Sequence, residues 1–97
     1  MNRKLKDQII KKGIEVFGKD FQLIMLGEEC GELLTAVSQH NRGRIPIDEV
    51  VTEMADAIIM IECVMQLYGV SRDDVKAKID SQYVKFGKRL GFGGSEE

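Results

Sequence analysis

Apolar residues recur three and four positions apart along most of the chain, with no sustained alternation of the kind that builds half-buried strands. That period predicts an all-α protein of four helices. The first spans residues 3–17, with Leu5, Ile9, Ile10, Ile14 and Phe17 on a broad apolar face and Gly18 as its stop. The second takes Asp20 as its N-cap and runs to Asn41, with Leu23, Leu26, Cys30, Leu33, Leu34 and Val37 directed at the core. Arg42, Gly43 and Arg44 make the connection, and Pro46 suits the first turn of a third helix that runs to Tyr68 and stops at Gly69. Ser71, followed three residues later by Asp74, resembles a cap and opens a fourth helix reaching Leu90. Residues 1–90 thus form one domain, and residues 91–97, poor in apolar side chains, read as a flexible tail.

The third helix decides the architecture. Val50, Val51, Met54, Ala55, Ala57, Ile58, Ile59, Ile61, Val64, Met65 and Leu67 cover far more than one stripe, and a helix apolar on most sides must be covered on most sides. Three companion helices supply part of that cover. A second subunit would supply the rest, so the pattern predicts a helical bundle completed across a homodimer or homotetramer interface.

Ninety-seven residues, 43% of them hydrophobic, give a core that is thin for one domain, which strengthens the expectation of help from another copy. A formal charge of -2 argues against a dedicated nucleic-acid binder, whose affinity comes from excess Lys and Arg. The basic cluster Arg3, Lys4, Lys6, Lys11 and Lys12 reads as a solvated face. No apolar run is long enough to span a membrane, and the N-terminus carries no hydrophobic signal region, so a cytoplasmic location is expected. Cys30 and Cys63 lie in apolar stretches without metal-ligand spacing and read as reduced, buried thiols.

Chemistry enters with two acidic pairs, Glu29-x-x-Glu32 after Glu28, and Glu53-x-x-Asp56 on the next helix. A spacing of three puts both carboxylates of a pair on one helix face. On the third helix Glu49, Thr52, Glu53 and Asp56 share an arc that continues into Ile59, Met60 and Cys63, so the acids are expected at the mouth of a pocket with an apolar floor. Packing the two acidic faces together is costly without a cation, and an all-oxygen ligand set suits Mg²⁺, or Mn²⁺, rather than zinc. The single histidine, His40, does not fall three residues after a Glu, which disfavours a di-iron carboxylate bundle. Gly27 and Gly31 interrupt the second helix beside these acids, either for close helix packing, the preferred account, or for room beside a ligand.

With the motif placed on helices, the chain resembles the MazG-like all-alpha nucleoside triphosphate pyrophosphohydrolases, marked by Glu-x-x-Glu, a spacer, then Glu-x-x-Asp. The resemblance implies a four-helix MazG-like bundle in which Glu29, Glu32, Glu53 and Asp56 bind magnesium. It also implies that Lys78, Gln82, Lys85 and Phe86 of the fourth helix match a Lys-Asn-Lys/Arg-aromatic pattern, with Gln in place of Asn. Lys78, Gln82, Lys85 and Arg89 fall on one stripe in any case, and such a stripe can hold phosphates. The expected reaction is Mg²⁺-dependent hydrolysis of a nucleoside or deoxynucleoside triphosphate to monophosphate and pyrophosphate, a house-cleaning activity. Glu28 is a candidate base to the attacking water, Met60 a contact for the nucleobase, and Arg42 and Arg44 further candidates for the outer phosphates. The rival readings are a related phosphoribosyl-ATP-type pyrophosphohydrolase using the same acids, and a non-enzymatic helical dimer acting as a regulatory module.

Overall fold

The computed structural model describes residues 1–93, and these form four helices with no strand among them: α1 Arg3–Phe17, α2 Lys19–Asn41, α3 Ile47–Tyr68 and α4 Arg72–Arg89. Local chemistry sets most of the boundaries. Asn2 keeps an extended backbone while its Oδ1 accepts from the Leu5 N–H at 2.8 Å, satisfying one of the free donors that begin any helix. Gly18, at φ +86°, ends α1 and immediately precedes α2, so Asp20 lies in the first turn of α2 instead of capping it. Its charge there still complements the positive end of the helix. Pro46 likewise stands one position outside α3, as its N-cap.

Gly69 adopts the left-handed conformation that closes α3, and the Val70 N–H then donates back to the Met65 carbonyl at 2.9 Å. The cap anticipated at Ser71 is a full capping box. Ser71 Oγ accepts from the Asp74 N–H at 3.0 Å, and the Asp74 carboxylate accepts from the Ser71 N–H at 3.2 Å. Beyond α4 the chain folds into a turn, with the Phe92 N–H donating to the Gly87 carbonyl at 2.9 Å. The start of the expected tail is therefore hydrogen-bonded, and its residues 94–97 lie outside the described part.

α2 and α3 form the principal helix pair, with α1 against both. Their shared core is small: Ile10, Ala36, Val50, Ala57 and Cys63 are its buried apolar residues among those described. The inward face of α2 differs from the one its large apolar residues suggest. Gln22 and Ala36 are buried, Met25, Leu26, Glu29 and Leu33 are partly buried, and Cys30, Leu34 and Val37 are exposed. Cys30 is thus a correction to the expectation of two buried thiols, whereas Cys63 is buried and its thiol pKa is pushed up, first by burial and then by neighbouring Glu62. Gln22 Nε2 donates to the Gly13 carbonyl of α1 at 3.3 Å, and Glu29, seven residues further along the same face, lies in the α2–α3 seam.

Ion pairs tie the remaining elements together. Arg3 grips Glu62 of α3 through two guanidinium nitrogens at 2.8 and 3.2 Å, and Asp7 receives Arg72 at 2.7 Å. The Arg72 contact is the one side-chain hydrogen bond joining α4 to α1, α2 or α3 among the described residues. Otherwise α4 projects from the body. The radius of gyration is accordingly 16.5 Å, against about 12–13 Å for a compact chain of this length.

Candidate metal centre

The α2–α3 seam brings the two acidic pairs together. One carboxylate oxygen from each of Glu29, Glu53 and Asp56 lies within 4.8 Å of the others, a span one cation can occupy. Glu32 stands near enough for its charge to act on both Glu29 and Glu53. Glu29, Glu53 and Asp56, three of the four acids expected as ligands, are partly buried together, while the more exposed Glu32 lies outside that group.

Electrostatics record the strain of this arrangement. Burial first, and then the charges of Glu32, Asp56 and Glu28, hold the Glu29 carboxyl above the usual range. Glu53 is raised for the same leading reason, reinforced by the close approach of Glu32 and by the charges of Glu32, Asp56 and Glu29. Moreover, Glu29 Oε2 and Glu53 Oε2 are out of contact with solvent and have no hydrogen-bond partner. Buried polar atoms left in this state are uncommon and need an explanation. A divalent cation supplies one, since it would satisfy both orphaned oxygens and remove the mutual repulsion. The residues present therefore fit an oxygen-ligated ion.

Beside the acids opens a cleft of 830 Å³. Glu28, Glu32 and Thr35 of α2 line one wall, Glu49, Thr52 and Glu53 of α3 the other, and Ile45 of the connecting loop closes one end. Glu28 is exposed within this lining, where it can reach a water. Thr35 and Ile45 escaped the sequence reading. Thr35 carries a usable signal, lying three residues after Glu32 on the same face, whereas Ile45 arrives only through the loop, whose carbonyl contacts His40 Nδ1 at 2.9 Å.

The apolar floor anticipated from the α3 arc is not in this cleft. Cys63 is buried in the core, Met60 is partly buried outside the cleft lining, and Ile59 lines a separate apolar cleft against α1. Likewise Lys78 and Gln82 line a cleft on α4 that contains none of the four acids, and Lys85 is exposed on the same helix. No basic residue lines the acidic cleft among those described, although the Arg44 guanidinium reaches the lining residue Gln39 at 3.5 Å. Gly31 lines the cleft, and a Cβ at either Gly27 or Gly31 would meet nothing within 4 Å, so close packing inside this chain does not explain these glycines.

No helix among the described residues is long and apolar enough to cross a membrane. No protein-family model, curated protein or solved structure matches the chain.

Proposed function

We propose that the protein is a Mg²⁺-dependent pyrophosphohydrolase of nucleoside or deoxynucleoside triphosphates, with Mn²⁺ as an alternative ion. The observation that carries the reading is the pair of buried, unpartnered oxygens on Glu29 and Glu53 beside Asp56. Glu29, Glu32, Glu53 and Asp56 would hold the ion, which supplies charge neutralisation to a bound polyphosphate and acidifies a coordinated water. Hydrolysis forms a bond from a water oxygen to the α-phosphorus and breaks that phosphorus's bond to the bridging oxygen, releasing pyrophosphate. Glu28, exposed in the same cleft, accepts the water's proton.

Lys78, Gln82 and Lys85 are assigned to the outer phosphates and Met60 to the nucleobase on the strength of the family resemblance. In one chain these residues do not line the acidic cleft, so they would act only when substrate or a second chain closes the distance. The physiological counterpart is cytoplasmic house-cleaning of the nucleotide pool by a homodimer or homotetramer. A phosphoribosyl-ATP-type substrate would use the same acids.

The test is incubation with canonical and modified nucleotides, and with phosphoribosyl-ATP, in Mg²⁺, separating pyrophosphate from phosphate release. Pyrophosphate release that disappears in Glu32→Ala and Asp56→Ala is the expected result. No turnover by the wild type, or unchanged turnover in both variants, would reject the assignment.

A further inference from the structure

We infer that the cleft beside the acids selects guanine among the nucleobases, and that Glu49 is the residue that reads it. The inference rests on the triphosphate reading of the acidic centre and adds the base that the substrate carries. Met60 lies outside the cleft lining, so recognition of the base falls to side chains between the acids and the α2–α3 loop. Thr35 and Gln39 of α2, Ile45 of the loop, and Glu49 and Thr52 of α3 line that end. Gln39 lies about 10 Å beyond Glu32 along α2, and Glu49 about 6 Å beyond Glu53 along α3. Such a separation suits a phosphate chain on the ion, a sugar next to it, and a base at the loop end. Ile45, partly buried there, offers the flat face of a base an apolar contact.

The hydrogen-bonding groups fall into two kinds, one on each wall. Gln39 Oε1 accepts from the Arg44 guanidinium at 3.5 Å, which orients the amide and leaves its Nε2 as a donor to a ligand. Arg44 brings further N–H groups to the same side, so the α2 wall with its loop donates. Thr52 Oγ1 donates to the Asp48 carbonyl at 3.2 Å and keeps only lone pairs for a ligand. The Glu49 carboxylate, exposed in the cleft and outside the group of three converging acids, accepts only, so the α3 wall accepts.

A carboxylate is matched best by two N–H groups side by side, one for each oxygen. Guanine carries that arrangement in N1–H beside the N2 amino group, and its adjoining O6 accepts from the Gln39 amide and Arg44 on the other wall. Adenine has a lone pair at N1, where a carboxylate is repelled. Cytosine and uracil each have a single N–H-bearing group on the corresponding edge. Guanine alone satisfies both oxygens of Glu49 and the donors opposite.

The experiment compares kcat/KM for pyrophosphate release from GTP, ITP and ATP in Mg²⁺. GTP and ITP differ only in the N2 amino group, and one hydrogen bond to a charged acceptor in an open cleft is worth about tenfold. The wild type should therefore favour GTP over ITP by about tenfold, mainly through KM, with ATP below both. Glu49→Gln should bring the GTP-to-ITP ratio close to one, and Gln39→Leu should narrow the gap between ITP and ATP. Equal use of GTP and ITP by the wild type would overturn the inference and leave the hydrolase assignment standing. So would a Glu49→Gln variant that loses turnover of both nucleotides in equal proportion, the behaviour of an acid that only helps to hold the ion. Turnover of no nucleotide rejects the assignment and the inference together.

Discussion

Replacing Gly31 by alanine, with Gly27→Ala beside it, asks what glycine does in the middle of α2. A helix-interior glycine costs about 0.8–1.0 kcal/mol relative to alanine, because it surrenders more backbone freedom on folding. Both positions have helical backbone without positive φ, and a Cβ at either meets nothing within 4 Å. The full propensity gain is therefore available, about 1 kcal/mol for each variant. For a chain of 97 residues that corresponds to about 5 °C in melting temperature. Circular dichroism at 222 nm against temperature and against urea measures it on metal-free protein. The two variants should then part company in turnover. Gly31 lines the acidic cleft and Gly27 does not, so Gly31→Ala raises KM for the nucleotide while Gly27→Ala leaves it unchanged. A loss of stability in either variant would refute the reasoning, since it would mean that an atom of the protein or of a partner copy occupies the space found empty.

Three further outcomes are expected. Glu53→Gln removes one of the repelling carboxylates, so metal-free protein should melt higher than the wild type while its melting temperature no longer rises with Mg²⁺; loss of stability in metal-free protein would count against the repulsion argument. Arg72 holds the Asp7 carboxyl below its ordinary value of 3.8, so its stabilisation is present in full above that pH and is lost as pH falls through the lower folded value. Asp7→Asn should accordingly lower the melting temperature at neutral pH and converge with the wild type in acid; a gap that persists at low pH would reject the linkage. Ser71→Ala removes one half of the capping box at the start of α4 and should cost about 0.5–2 kcal/mol in urea denaturation if α4 unfolds with the rest, with no effect expected if it frays independently.

The four helices and most of their ends were legible because their causes are local. Gly69 terminates α3 and Ser71 with Asp74 opens α4 through contacts spanning three or four residues, which sequence spacing reports directly. The convergence of Glu29, Glu53 and Asp56 was legible for a related reason: i, i+3 spacing fixes each acidic pair on a face, and the cost of bringing the two faces together points to a shared ion. What the spacing could not decide was the rotation of α2. Its polar Gln22 is buried with its amide on the Gly13 carbonyl of another helix while Leu34 and Val37 face out, an arrangement that the spacing of apolar residues does not report.

Placement of α4 was likewise beyond the sequence. Its stripe of Val75, Ile79, Tyr83 and Phe86 demands cover of some kind, but amphipathicity does not say whose surface provides it. The structure answers with an Arg72–Asp7 tie at one end and open apolar surface along the rest, separating Lys78 and Gln82 from the acids that the same sequence suggested they serve. Helix identity and acid spacing are properties of neighbouring residues and follow from the chain alone. Which faces meet depends on contacts between residues far apart in sequence, and only the tertiary structure decided those.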